Sequence, residues 1–308
     1  VRPTYADGGR VVGAVAGAAV WNQSAVWNRN PLSCEVLSEP KAGSSESEYE
    51  DAWYLPRGLS GKKTSGARGC TIAVADGASE SMLAGAWAGM VARAVGTSGR
   101  RELDAGLLAD RICAAAAKWP AYVNRYVRRR ERAGRPVAWY EESKLEQGAH
   151  ATVLGVCFRW RTAAESGLAD TGGTWSAAAL GDACAFQVRD ERLAEAFPIE
   201  GSADFDTSPH LAGTRAPDRD LLAARSVERR GTWLPGDVFY LATDAAAQWF
   251  LAEAEARRQP WRQVDEAFKD PAAWLADLRA ERRIRNDDVT IVRCRLGLIA
   301  RNDAVAHQ

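Results

Sequence analysis

The chain of 308 residues sets 40 Lys plus Arg against 40 Asp plus Glu, for a formal net charge of zero. Hydrophobic residues make up 46% and charged residues 26%, which excludes a disordered or fibrous chain and leaves a globular one with a large core. The balance also argues against a dedicated nucleic-acid binder, whose domain normally carries a basic excess, so no nucleic-acid partner is expected.

Residues 1–30 read as an N-terminal extension, rich in Gly, Ala and Asn and without a clean period. Within it, the small apolar stretch 11–20 is too short for a bilayer, which needs about 20 residues, and is weak as a signal peptide. Its Gly13 and Gly17 lack the spacing of a dinucleotide loop. No membrane association is expected. From Leu32 the pattern becomes regular: a strand over 33–37, a polar loop over 42–49 and a second strand over 52–55. A third apolar run, 71–75, leads directly into Asp76-Gly77. From Ser79 the period turns helical, with Met82, Leu83, Ala86, Trp87, Met90, Val91 and Ala94 at three- and four-residue spacing. A second helix follows over 102–119, and Pro120 breaks or kinks it.

The segment 125–135 then holds six arginines. It reads as a solvated helix end, with Arg favoured near the negative dipole terminus, in preference to a docking site for an anionic partner. Strand patterns follow over 152–160, 174–180, 183–189 and 237–242. Asp244 opens a helical run, 261–268 and 271–283 add more helix, and 289–296 is a terminal strand. Trp87, Trp249, Trp261 and Trp274 sit at helical-face positions, as layer packing requires. Strands outnumber helices, and the helices fall into two sequence blocks. That grouping predicts an α+β architecture of antiparallel sheets flanked by helices, in one domain over 31–298 with a tail over 299–308.

Six cysteines lie far apart with no C-x-x-C pair, several inside apolar runs, and read as reduced core thiols of a cytoplasmic protein. With three histidines and no metal-type Cys/His spacing, a structural zinc site is not expected. His150 reads as a packed or hydrogen-bonded histidine.

Acidic residues recur where apolar strands end or begin. They stand in Ala73-Val74-Ala75-Asp76-Gly77, in Leu180-Gly181-Asp182, in Leu241-Ala242-Thr243-Asp244 and in Asn286-Asp287-Asp288-Val289. The pair Glu50-Asp51 precedes a further strand. Carboxylates on neighbouring strand ends, about 4.8 Å apart, repel one another, so their pKa values rise or cations neutralise them. Hard divalent ions with oxygen-only shells suit such a set. Taken singly, Asp76 and Asp244 also read as helix N-caps, and Asp182 as the start of a hairpin turn.

In that order, Glu-Asp, V-A-D-G, a G-x-x-A-T strand, L-G-D, L-A-T-D and N-D-D-V-T-I, the sequence resembles the metal-dependent protein phosphatases of type 2C. The match runs over roughly 32–297. The resemblance implies a four-layer α-β-β-α sandwich and hydrolysis of phosphoserine or phosphothreonine by water activated between two Mg²⁺ or Mn²⁺ ions. It implies that Asp76 bridges the two ions with the Gly77 carbonyl on one. Asp244 and Asp287 would complete the shell of the first ion, and Asp182 would hold a third, weaker ion. Glu50 and Asp51 match the pair that contacts the second ion and its waters. The implied partners are a phosphorylated Ser/Thr protein and a cognate kinase.

The sequence also departs from the family pattern. D-G-x-G-G-H is here Asp76-Gly77-Ala78-Ser79-Glu80, and S-D-G is Thr243-Asp244-Ala245. Glu46 replaces the phosphate-binding arginine. Nearby Lys41 supplies a positive charge, as a point rather than a bidentate fork. The polar segment 202–230 matches the family's variable flap, where substrate choice is expected. Two other readings stay open: a non-catalytic regulatory module of the same fold, and a hydrolase of small phosphate esters.

Overall fold

The computed structural model describes residues 31–56, 68–160, 172–205 and 208–297, and the backbone of Gly9–Val11. The expected tail, and all of the expected extension except Gly9–Val11, lie outside the described residues.

Twelve strands and eight α-helices are described. In chain order they are β1 (Gly9–Val11), β2 (Leu32–Glu39), β3 (Ala52–Pro56), β4 (Gly69–Gly77), α1 (Ala84–Gly96), α2 (Ala105–Ala116), α3 (Trp119–Arg132) and α4 (Trp139–Gln147). There follow β5 (His150–Trp160), β6 (Gly173–Leu180), β7 (Cys184–Arg189), β8 (Arg192–Phe197), β9 (Ala212–Gly213), α5 (Arg219–Arg225), β10 (Val227–Trp233) and β11 (Val238–Ala242). The chain closes with α6 (Asp244–Glu255), α7 (Pro260–Ala267), α8 (Pro271–Ala280) and β12 (Val289–Leu296).

The strands form two antiparallel sheets, ordered β1-β3-β4-β5-β6-β10, with β9 on β5, and β2-β12-β11-β7-β8. Strand alternation sorts their side chains into three cores. Ile72 and Val74 of β4, with Leu154, Val156 and Phe158 of β5, point between the sheets at Phe239 and Leu241 of β11 and Val292 of β12. The odd neighbours Ala73, Ala75, Val153 and Cys157 face outward onto α1 and α2. On the second sheet Tyr240, Ala242 and Ile291 face α6, α7 and α8. The result is the expected α-β-β-α stack.

Helix boundaries differ from the expectation in instructive ways. α1 begins at Ala84 rather than Ser79, because Leu83 takes a left-handed conformation at φ 66° and ends the preceding turn. Its buried stripe is Trp87, Ala88, Val91, Ala92 and Val95. α2 is capped by Asp104, whose Oδ1 accepts from the Leu107 amide at 2.7 Å. Pro120 does not kink α2; it occupies the first turn of a separate helix, where its missing N–H costs nothing. All six cysteines are free thiols and five are buried, with Cys34 and Cys294 opposite each other across β2 and β12, their sulfurs 3.3 Å apart.

The interleaf core depends on aromatic contact: Phe158 meets Phe239 edge-on at 4.9 Å between centroids. Phe158→Ala should lower the unfolding free energy by about 3–5 kcal/mol through the cavity left behind, read from urea denaturation. A loss below about 1 kcal/mol would mean the sheets collapse onto the gap.

Candidate metal and phosphate site

Register places the acidic residues at one end of the sandwich. Ala52 lies opposite Ala75, Asp76 opposite Thr152 and Val153 opposite Leu180, so Asp51, Asp76 and Asp182 share the same edge of the first sheet. Ala242 lies opposite both Cys184 and Ile291, which brings Asp244 and Asp287 to the matching edge of the second. Parity then matters. Asp76 continues the inward series Ile72, Val74, and Asp51 continues that of Trp53. At this end the apolar interior is continued by carboxylates.

The local readings of these aspartates as caps and turns do not hold. Asp76 lies eight residues before the first residue of α1 (84 − 76), and the cap position of α6 is Thr243, with Asp244 the first helical residue. Asp182 starts no hairpin, since β6 and β7 belong to different sheets. The connection passes through Gly181 at φ +99°, where an added Cβ would also lie 2.5 Å from Thr152 Cγ2. Gly77 is equally constrained: a Cβ there would lie 2.7 Å from the Ala84 backbone, so the turn and α1 dock only over glycine.

Each carboxylate has its own environment. Asp51 is buried, and its Oδ2 accepts from the hydroxyls of Thr243 (2.8 Å) and Thr290 (2.9 Å), while Oδ1 is buried with no partner. Burial, and then the Asp288 charge, push its pKa well above the ordinary carboxylate range despite the two hydroxyls. Asp76 is partly buried, and no described residue hydrogen-bonds its carboxylate. Burial and the charges of Asp51, Asp244, Asp182 and Asp287 raise its pKa well above the usual value. Asp244 is also raised, first by burial, although Arg285 opposes this with Nη2 2.6 Å from Oδ2. Asp287 Oδ1 accepts from the Asp288 amide at 2.9 Å.

Several residues of this site were not singled out in the sequence. Asp288 is buried and accepts from the amides of Lys41 (2.8 Å) and Glu50 (2.7 Å), tying both ends of the β2–β3 connection to the start of β12. Arg279 of α8 donates to the carbonyls of Pro40 (3.0 Å) and Asp287 (2.8 Å) and fixes the same corner. The available signal was parity, since 288, 290 and 292 are inward positions of one strand. Lys41 does stand beside the acidic pair: Nζ lies 3.3 Å from Glu50 Oε2 and 3.3 Å from Ser79 Oγ. Burial pulls its pKa down, but the charges of Glu50, Asp288 and Asp287 outweigh this and leave it raised. His150 lies 3.3 Å from Ser81 Oγ through Nδ1, and its carbonyl accepts from the Ala78 amide at 2.9 Å. The segment 202–230 contributes β9 beside His150 and α5 against α2.

The aspartates therefore act on one another electrostatically, yet among the described residues no three His, Cys, Asp or Glu side chains form a ready chelating group. Individual engagements explain the spread: Asp244 is drawn to Arg285, Asp51 to two threonines, and Glu50 to Lys41 and Ser79.

These shifts set a pH dependence for the metal-free protein. A carboxyl whose pKa is raised on folding favours the folded state below the ordinary carboxylate range, and that contribution is lost as pH rises through the raised value. Asp76→Asn removes the penalty. It should stabilise the metal-free protein near neutrality on the order of 1 kcal/mol, a tenfold displaced proton equilibrium being worth about 1.4 kcal/mol. Near pH 4 the gain should vanish. Thermal melts at both pH values check this, and an equal gain at both would refute the electrostatic origin.

No protein-family model matches the sequence, and no curated protein matches it. Similarity appears at the level of fold. The catalytic domain of the serine/threonine protein phosphatase PstP, in complex with two manganese ions, superposes with a TM-score of 0.50 at 14% identity, covering 86% of this chain and 98% of that one. A bacterial serine phosphatase superposes with a TM-score of 0.50 at 12% identity, covering 88% and 99%. Two antiparallel sheets between paired helix layers, matched over nearly the whole length of both phosphatases, show that this chain has the fold of the type 2C phosphatases.

Proposed function

We propose that the chain is a Mg²⁺- or Mn²⁺-dependent phosphatase acting on phosphoserine and phosphothreonine in proteins. The observation that carries this reading is the convergence of Asp51, Asp76, Asp182, Asp244 and Asp287 at one end of the sandwich interior, where burial and then the charges of the other four raise the pKa of Asp76. The donor set fits hard divalent ions. It is all oxygen, and among the described residues nothing partners the buried Asp51 Oδ1 and nothing donates to the Asp76 carboxylate.

In this reading Asp76, Asp244 and Asp287, with the Gly77 carbonyl, hold the ions, Glu50 and Asp51 their waters, and Asp182 a weaker ion. When bound, such ions supply an activated water and neutralise phosphoryl oxygens. The chain's own groups do the positioning. Thr243 and Thr290 orient Asp51 by taking its Oδ2. Asp288 and Arg279 hold the 40–50 segment in place. The Lys41 ammonium, beside Glu50 and Ser79, offers a positive charge to the substrate phosphate.

A regulatory module of the same fold is the second reading, favoured by the Arg285 ion pair on Asp244 and by the absence of a ready chelating trio among the described residues. Turnover separates the two. With Mn²⁺ the protein should hydrolyse p-nitrophenyl phosphate and a phosphothreonine peptide, and a chelator should stop both. Asp76→Asn should cost more than about 100-fold, since even groups one step removed from a metal cost about 10–100-fold. Metal binding without turnover of either substrate would establish the regulatory reading.

Arg285 gives an independent check. It is half exposed, and such a pair is worth about 0.2–1 kcal/mol. Arg285→Gln should therefore tighten Mn²⁺ binding by up to about fivefold while lowering the melting temperature of the metal-free protein. Calorimetric titration showing unchanged or weaker binding would contradict an ion site at Asp244.

A further inference from the structure

Helix α3 carries an arrangement of charge that no carboxylate among the described residues neutralises. Arg125, Arg128, Arg129 and Arg132 stand at i, i+3, i+4 and i+7, so they share one face, and all four are exposed. At about 1.5 Å per residue the stripe is about 10 Å long. None of the four makes an ion pair with a described residue, whereas Arg189, Arg219, Arg258, Arg283 and Arg293 each lie on a carboxylate. The helix dipole accounts for cations in the last turn but not for Arg125, two turns from the end, where that field has decayed. Like charges at these spacings oppose the helix.

The face is nonetheless rigidly held. Arg125 lies over the Tyr122 ring at 6.0 Å, and Arg129 over Tyr126 at 5.7 Å. On the flank, Arg130 clamps α3 to α4, donating to Glu141 Oε1 (3.2 Å) and Oε2 (3.1 Å) and to the Arg135 carbonyl (2.8 Å). α4 opens with Trp139 and Tyr140, 83% and 59% exposed. These are large apolar surfaces left in water beside the arginine-rich helix.

The hairpin is anchored next to the carboxylates. α4 ends at Gln147, and the His150 carbonyl accepts from the Ala78 amide, two residues beyond Asp76. The nine residues of α4 span about 13 Å and residues 148–150 add at most about 10 Å, so the start of α4, beside the arginine-rich helix, lies within about 25 Å of His150. An extended peptide covers that distance in no more than about eight residues.

We propose that this face docks an acidic segment of the phosphoprotein substrate, within about eight residues of the phosphorylated side chain. The substrate role rests on the phosphatase reading; the docking itself does not. A short acidic peptide fits better than a nucleic acid. The stripe is brief, Glu131, Glu141 and Glu142 adjoin it and would repel a longer polyanion, and Trp139 and Tyr140 can take apolar side chains of a peptide.

The test uses the full chain with Mn²⁺ and two phosphothreonine peptides, one with four acidic residues starting six positions from the phosphothreonine, the other with their amides. The acidic peptide should show a KM about tenfold lower at equal kcat. That advantage should disappear in Arg125→Glu/Arg128→Glu/Arg129→Glu/Arg132→Glu, and at about 0.5 M salt, where charges are screened within a few ångströms. Unchanged p-nitrophenyl phosphate turnover in the variant shows that it folds. Equal KM for the two peptides, or an advantage that survives charge reversal, overturns the proposal. Should no substrate turn over, the phosphatase reading fails, and fluorescence anisotropy of the labelled acidic peptide decides docking. Binding to the wild type and not to the variant upholds the surface. No binding, or tighter binding of a single-stranded RNA of equal charge, overturns it.

Discussion

Carboxylates at the dry end of an apolar sandwich repel one another, and the arrangement of this molecule around residues 41–51, 76–78, 182, 243–245 and 285–290 follows from that repulsion. Desolvation raises the pKa values of Asp51, Asp76 and Asp244, and the charges of neighbouring aspartates add to it. Every compensation the protein supplies is partial. Two hydroxyls reach Asp51, one guanidinium reaches Asp244, and backbone amides reach Asp288. Asp76 receives none from the described residues. A set left this short of positive charge is costly to keep unless something outside the chain completes it. That is the physical content of the metal reading.

The layered fold was largely legible, because both of its periods are strong. The apolar runs over 71–75 and 152–160, buried on both faces, and the helical spacing of Trp87 and Val91 are set by burial in the layers. The elements that were missed have weak patterns. β8 and β10 are half exposed and rich in Arg and Glu, and α4 and α5 bury little. The start of α1 was misplaced because the decisive event is a left-handed Leu83, a conformation that no propensity favours.

For the site, the sequence pointed to the acidic residues that end the strands but not to what each one touches. Asp288 was passed over beside Asp287, although the structure gives it the loop-holding role. Arg285 and Arg279 were invisible because their partners, Asp244 and the Pro40 carbonyl, lie 41 and 239 residues away. Contacts of that kind arise from long-range strand pairing within the second sheet and from the packing of α8 on it, and no local pattern encodes them. At 12–14% identity to phosphatases of the same fold, it is the fold rather than residue identity that the chains have in common.

β12 has a further consequence. It is the last described strand, it pairs with β2 at the far end of the chain, and its leading residues supply both the clamp on the Lys41 and Glu50 amides and the Thr290 hydroxyl on Asp51. Asp51 precedes by 192 and 239 residues the two hydroxyls, of Thr243 and Thr290, that hold its Oδ2. A polypeptide that stops before residue 288 carries Glu50, Asp51, Asp76, Asp182, Asp244 and Asp287 but lacks both the Asp288 carboxylate that holds the 41–50 segment and the Thr290 hydroxyl on Asp51.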